Sequence, residues 1–587
     1  MDVSESGRIP PPHFSDEESR PLSAGIDGDI GSRLSASIGS TRDWLLARQQ
    51  ADGHWCGELE GDTILESEYI LLLAWLGLEQ SPIARKCAAY VVEKQLPTGG
   101  WSMYPGGQME ISGSVKAYFG LKLTGHDPQA DYMQLARNAI RAAGGADTVN
   151  SFTRFYLALL GQISYDDCPA VPPELVLLPK WSPINIYRMS AWSRTIMVPL
   201  SIIWAHRPHR SIAPERGIRE LFVRDPSDWP PLRCPGLTQE HGWFSWEHFF
   251  WQADATFKWL EARRWTPLRR RAMAVAERWM TTRFAHSDGL GAIFPPIIWS
   301  VIALKCLDYA DDSVEMRYNF DQLKALTIEH QHTARLQPCL SPVWDTALTL
   351  RALAVAGVGA DDPAAMRAVD WLLDKEVTRR GDWAAYVSAV PAGWFFEYHN
   401  EFYPDVDDTA MVMIALGELK GRGQESGVRS QRRGVSGACE RARKWLLAMQ
   451  NRDGGWGAFD RDNDAEFLCR VPFADHNAMI DPSTPDLAGR ALEALEQWDE
   501  RPESNPMQRG VDFLRRTQER DGAWQGRWGV NYIYGTWQAL VGLAAAGVPT
   551  DDPVIKRGAN WLLRHQHPCG GWGESADSYE EPELRGV

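Results

Sequence analysis

Three aspartates, Asp405, Asp407 and Asp408, fall within four residues of one another in WFFEYHNEFYPDVDDTAMVM (394–413), just ahead of an apolar run that reads as a helix. An aspartate at a helix start caps free amides, and the positive end of the helix favours it. One cap does not use three carboxylates, and crowding them raises the pKa of at least one. A carboxyl kept protonated beside apolar surface is a general acid. From spacing alone, catalysis and a combination of capping with metal binding both fit. Asp345 and Asp486 stand at other helix starts and are expected to act as caps only.

The neighbourhood favours catalysis. Trp394, Phe395, Phe396, Tyr398, Phe402 and Tyr403 precede the aspartates, and Trp344, Trp528, Tyr532 and Tyr534 stand near other helix starts. Any one such ring is ordinary core material. A cluster of them beside an acid suits carbocation chemistry: the acid protonates an alkene, and ring faces stabilise the cation.

The elements that position these groups come from an internal repeat. An aromatic-Leu step, three residues, Gln, a short spacer and Gly-x-Trp recur in DWLLARQQADGHW (Trp44 to Trp55), YVVEKQLPTGGW (Tyr90 to Trp101), WLLAMQNRDGGW (Trp445 to Trp456), FLRRTQERDGAW (Phe513 to Trp524) and WLLRHQHPCGGW (Trp561 to Trp572). A degenerate copy runs from Trp371 to Trp383 with Glu376 in the Gln position, and a weaker one around WMTTRFAHSDGLG has lost its Trp. The repeat accounts for much of the excess of 27 Trp over 19 Phe and 16 Tyr. Each copy reads as a helix stopped by an Asp/Gly turn, after which the Trp covers a neighbouring helix end and the Gln bonds the termini of the next. Apolar helices rich in small residues alternate with the copies, at 345–358, 408–419, 486–498 and 535–548. Outer and inner helices alternating in this way predict an all-α fold that closes into an α/α barrel, or toroid. The polar, basic run 421–437 reads as a solvated loop.

The rest of the chain sets limits. It has 587 residues, 61 Lys+Arg against 77 Asp+Glu, and a net charge of −16, so it lacks the cationic surplus of a general nucleic-acid binder. The 44% hydrophobic content supports a large core. The 9 cysteines are scattered with no CxxC pair and read as reduced thiols. His565, His567 and Cys569 come nearest to a ligand cluster and have no second cluster beside them, so no metal site is expected. Residues 1–38, rich in Ser, Pro, Gly and acids, read as a disordered tail. The apolar run Leu290–Leu304 is too short to span a bilayer and contains Pro295 and Pro296, so no crossing is expected, while lying on a membrane remains open.

Together the repeat and the acid motif resemble the squalene–hopene cyclase family, the class II triterpene cyclases, over nearly the whole chain from about Ile38. The repeat looks like the family's QW motif, and Asp405-Val406-Asp407-Asp408-Thr409-Ala410 looks like its DxDDTA motif. The resemblance implies Asp407 as proton donor, with Asp405 and Asp408 tuning it. It implies that DPSTPDLAGR brings Asp486 and Arg490 to the acid, a position where some members carry His. Trp344, Phe396, Tyr398, Phe459, Trp528, Tyr534 and Trp192 match cavity aromatics, and Glu66 matches a polar residue near the far end of the cavity. Phe473, Ala474 and Asp475, with Met189 and Met197, match the entrance constriction.

The fold so implied is two α/α barrels enclosing a large apolar cavity: an inserted barrel over 45–338 and a catalytic barrel from 39–44 plus 339–587. Further implications are squalene as substrate, no cofactor, monotopic seating on the cytoplasmic side of a bacterial inner membrane with 241–260 in the membrane face, and a possible homodimer. Two departures stand out. Phe294 replaces a Gln that helps some members hold water, which bears on the balance between hopene and its alcohol. After Trp572 only GESADSYEEPELRGV follows, where the family continues with an aromatic-rich segment, so an early end or closure by another chain is expected. Other readings carried forward are a cyclase of oxidosqualene or a diterpenoid, and a truncated cyclase that only binds lipid. A zinc prenyltransferase lacks its ligands here, and adjacent aspartates fit a glycosidase poorly.

Overall fold

A computed structural model of the chain describes residues 27–229, 244–422, 429–473 and 478–587. Eleven helices come first: α1 (Asp27–Leu46), α2 (Ile64–Leu76), α3 (Pro82–Glu93), α4 (Ile111–Leu123), α5 (Asp131–Ala142), α6 (Ser151–Leu159), α7 (Ala191–His206), α8 (Trp246–Ala262), α9 (Arg269–Thr281), α10 (Phe294–Cys306) and α11 (Val314–Ala325). A short antiparallel pair, β1 (Thr327–Glu329) and β2 (Ala334–Leu336), follows. Then come α12 (Pro342–Val355), α13 (Pro363–Asp374), α14 (Val406–Arg422), α15 (Arg429–Met449), α16 (Pro485–Gln497), α17 (Asn505–Thr517), α18 (Tyr532–Ala545) and α19 (Pro553–Arg564). The described residues are thus all-α apart from that hairpin.

Two large apolar cores divide the molecule. One gathers Leu65 to Leu336 with Leu468, Phe473, Met479 and Ile480; the other gathers Val343 to Val554. Trp55 lies in the second core, with its amide donating to Thr346 Oγ1 at 3.0 Å. The first repeat copy therefore packs with the C-terminal half, and the chain passes into the N-terminal core after Trp55 rather than at residue 45. In the second core α12, α14, α16 and α18 each pack against the next, with α13, α15, α17 and α19 outside them. The closest approach joins α16 to α18, where a Cβ on Gly542 would lie 2.4 Å from the Gly489 Cα.

The repeat works as a clasp. The Gln450 amide donates to Gly454 O in its own turn (2.8 Å) and to Pro506 O in the next outer helix (2.9 Å), while Trp456 Nε1 donates back to Leu446 O (2.8 Å). Gln49, Gln95 and Gln518 bridge in the same way. Gly454 has φ +97°, and a Cβ there would lie 2.3 Å from Arg509 O, so both the conformation and the contact require glycine. The last copy differs: Trp572 is 45% exposed, and nothing lies within 4 Å of a Cβ placed on Gly570.

Several sequence expectations are corrected. The disordered tail does not extend to residue 38, because α1 begins at Asp27; residues 1–26 are outside the described set. From Asp27 on the segment has no proline, and it continues into the first repeat helix. The run 421–437 is not one loop. α14 extends to Arg422 and α15 starts at Arg429, with Ala438, Cys439, Ala442, Trp445 and Leu446 as its buried stripe. In the degenerate copy the repeat Trp is Trp394 rather than Trp383. Its Nε1 donates to Leu372 O (2.6 Å), and its amide donates to Thr409 Oγ1, as the Trp55 amide does to Thr346. Glu376 pairs with Arg441. The run at Leu290–Leu304 falls largely in α10, a buried core helix with its prolines in the first turn, where a missing N–H costs nothing. Among the described residues no helix is long and apolar enough to cross a membrane.

Candidate active site

The three aspartates sit at the start of α14 and divide the work. Asp405 Oδ1 accepts the Asp408 amide at 2.7 Å, so Asp405 is the helix cap. Asp405 and Asp408 are each 3% exposed. Burial pushes both carboxyls up, and the charge each would place on the other adds to the rise for Asp408, so this pair holds a proton. Asp407 is the accessible member, with its side chain 15% exposed. Its Oδ1 lies 3.1 Å from Arg490 Nε without an aligned hydrogen bond. Burial raises the Asp407 carboxyl to about 6, and Arg490 limits the rise.

Arg490 is held on all sides. It donates to the Tyr534 hydroxyl (2.6 Å) and to Gln538 Oε1 (3.2 Å), and its guanidinium carbon lies 4.8 Å from the Trp344 ring centre. Trp344 in turn packs 6.3 Å from Phe396. The glycine contact between α16 and α18 sets this arrangement, because Arg490 follows Gly489 and a Cβ on Gly489 would lie 2.3 Å from Gln538 O.

Asp345 and Asp486 are not plain caps. Asp345 Oδ2 accepts the Gly57 amide and the Ser341 hydroxyl. Asp486 Oδ2 accepts the amides of Arg527 and Trp528, both at 2.9 Å, which fixes Trp528 at the start of α16. Each carboxylate therefore ties a neighbouring turn to its own helix. A second aromatic group forms where the two cores meet: Trp192, Phe459 and Trp528 stand edge-to-face, with centroids 5.8 to 6.3 Å apart. The Tyr398 hydroxyl meets His54 Nε2 at 2.9 Å.

The family model for the squalene–hopene cyclase N-terminal domain matches residues 38–332, and that for the C-terminal domain matches residues 340–587. The chain belongs to the squalene–hopene cyclase family. It is 40% identical to the squalene–hopene cyclase of Bradyrhizobium diazoefficiens over 93% of this chain and 82% of that protein. It is also 40% identical to the one from Zymomonas mobilis, over 91% and 80%. Among solved structures, ent-copalyl diphosphate synthase from Streptomyces platensis aligns with a TM-score of 0.45 and 16% identity over 92% of this chain and 84% of that one. The chain is a triterpene cyclase by family.

The other family-matched positions of this cyclase are distributed as follows. Glu66 is buried in α2, accepts the Leu336 amide through Oε1 and leaves Oε2 without a partner; burial raises it to about 8. Phe294 is buried at the start of α10. Met189, Met197 and Phe473 are buried, and Phe473 packs 4.8 Å from Phe152. Ala474 and Asp475 lie outside the described residues. Three contributors were missed from sequence. Gln538 holds Arg490; it follows a Gly-x-Trp (Gly535 to Trp537) whose upstream Gln position is Asn531, so the repeat motif did not mark it. Burial pushes the Glu397 carboxyl well up, and the charge it would carry when ionised raises Asp408 further; it was hidden inside the aromatic run 394–403. Asp481 accepts the amides of Ala458, Phe459 and Asp460; it opens DPSTPDLAGR, the segment in which the resemblance singles out only Asp486 and Arg490. Among the described residues no group of three or more His, Cys, Asp or Glu is arranged to hold a metal ion.

Proposed function

We propose that this cyclase converts squalene to hopene, hopanol or both, with Asp407 as the initiating acid. The observation that carries the reading is the accessible Asp407 carboxyl, flanked by two buried acids and backed by Arg490 beneath Trp344. The Asp407 proton adds to the terminal double bond of squalene. A C–H bond forms, the O–H bond breaks, and the charge passes to a tertiary carbon. Each ring closes as the next double bond donates its π electrons to that carbon. Loss of a proton at the end gives hopene, and capture of water followed by proton loss gives hopanol. Arg490 stabilises the carboxylate left behind, which strengthens the acid. Trp344, Phe396, Tyr398, Tyr534, Trp192, Phe459 and Trp528 offer ring faces to the migrating charge. Glu66 supplies a neutral polar group in the N-terminal core, and Phe473, Met189 and Met197 narrow the way in.

The substrate is delivered from lipid, with the protein seated monotopically on the cytoplasmic face of a bacterial inner membrane. The support is apolar surface along and just after α8: Trp246, Phe249, Trp259, Trp265 and Leu268 are each about half exposed or more. Trp265 and Leu268 line, with Trp204, Phe257, Leu260 and the Glu174–Arg269–Glu261 cluster, a cavity of about 150 Å³.

The donor is the protonated form of Asp407, so its population falls as pH rises through its pKa. Incubation of detergent-solubilised protein with squalene, followed by gas chromatography, is expected to show pentacyclic product. The initial rate is expected to decline about tenfold per pH unit above about 6. Unchanged squalene at every pH contradicts the reading.

A further inference from the structure

Arg194 on α7 is a fully buried arginine far in sequence from the acid motif, and the reaction as described does not use it. One of its nitrogens, Nη2, contacts both oxygens of Asp460 at 2.5 Å, and its Nε lies 3.6 Å from Asp382 Oδ2. Asp382 also takes Arg283 and the Tyr403 hydroxyl, the latter at 2.7 Å. Two arginines from the N-terminal half thus meet two aspartates from the C-terminal half in one buried group.

The positions on either side of this group carry cavity rings. Trp192 is two residues before Arg194 on the first turn of α7, and Phe459 immediately precedes Asp460. Their centroids are 5.9 Å apart at an interplanar angle of 73°. The C-terminal half also grips this turn of α7 through Ala478 O, which accepts Ser190 Oγ, Ser193 Oγ and Trp192 Nε1. On the Phe459 side, the three amides held by Asp481 fix the turn from Ala458 to Asp460.

We propose that Arg194 and Asp460 are positioning residues that carry ring alignment across the boundary between the two cores, so that Trp192 and Phe459 present one continuous aromatic surface to the cation. The proposal rests on the cyclase reading above. A charged pair suits this task better than apolar packing, because a buried arginine has one low-energy placement relative to its carboxylate, whereas packed methylenes slide. The reaction is sensitive to such placement, since a ring displaced by about 1 Å loses much of its effect on a passing charge. The pair's contacts run to Asp382 and Asn463, whereas Asp407 faces Arg490, so losing the pair is expected to change where the cascade stops more than whether it starts.

The test compares Asp460→Asn, Arg194→Lys and the parent by product analysis and by crystal structures. In Asp460→Asn the share of products released before the last ring closes is expected to rise roughly tenfold, with squalene consumption falling far less. Arg194→Lys, which keeps the charge and loses the planar guanidinium, is expected to fall between that variant and the parent. The crystal structures are expected to show the Trp192 and Phe459 centroids moved from their 5.9 Å spacing. An unchanged product ratio at a lower rate marks a merely structural role and overturns the proposal, as does an unchanged ring spacing. Should Asp460→Asn fail to fold, the double variant Arg194→Met with Asp460→Leu leaves no orphaned charge and is judged by the same two readouts. A parent that makes no cyclic product sinks the cyclase reading instead, and ring spacing alone then decides this inference.

Discussion

Asp407→Asn is expected to lower squalene cyclisation by a factor of about 10² to 10⁴, the scale set by removing a general acid. The replacement has nearly the same shape and keeps the amide in the first turn of α14, so the helix start is retained. Asp405 still caps Asp408, because that bond runs to the Asp408 amide and does not involve position 407. The midpoint of thermal unfolding is expected to move by no more than about 3 °C, as for substitutions that create neither a cavity nor an unpaired donor. Neither neighbour replaces the lost acid. Asp405 and Asp408 are buried and share their proton with each other, whereas Asp407 alone is accessible and faces Arg490. Comparable product yields from variant and parent would remove Asp407 from the mechanism.

Gly489→Val is expected to have the largest effect on stability. A side chain there points at Gln538 O, only 2.3 Å from the new Cβ, and the facing residue on α18 is itself a glycine. Backbone blocks the space on both sides, so α16 and α18 have to separate. The expected loss is about 3 kcal/mol, at the upper end for overpacking, read as a lower urea midpoint by tryptophan fluorescence. Activity is expected to fall in parallel, since Arg490 is the next residue and its partners Gln538 and Tyr534 are on α18. A variant with the parent's urea midpoint would show that the two helices pack less tightly than described.

Much of this was legible in the sequence because the repeat states its own geometry. A Gln, a Gly and a Trp at fixed spacing encode one clasp, and five copies bearing that spacing place the Trp Nε1 on a carbonyl ten residues back. The acid was legible because three aspartates exceed what a cap uses, and the structure divides them into one cap and one accessible carboxyl. Legibility failed where function is carried across an insertion or between distant turns. Trp394 fills the repeat position after a longer excursion than its relatives make, so regular spacing pointed to Trp383. Asp345 and Asp486 stand where caps stand, but their oxygens hold amides of turns 288 and about 41 residues away, contacts that only folding creates. The membership of Trp55 in the second core was hidden for the same reason, because its partner Thr346 is 291 residues distant. Asp481 and Gln538 are marked neither by the repeat nor by the acid motif, since each serves a neighbouring turn or helix.

The most direct test is a titration of the Asp407 carboxyl itself, by infrared difference spectroscopy of the parent against Asp407→Asn. A carboxylic-acid band that belongs to position 407 and disappears with a midpoint near pH 6 is the predicted result. A midpoint at about 4, the value of an ordinary solvated aspartate, would contradict the claim that this side chain is held as a poised acid.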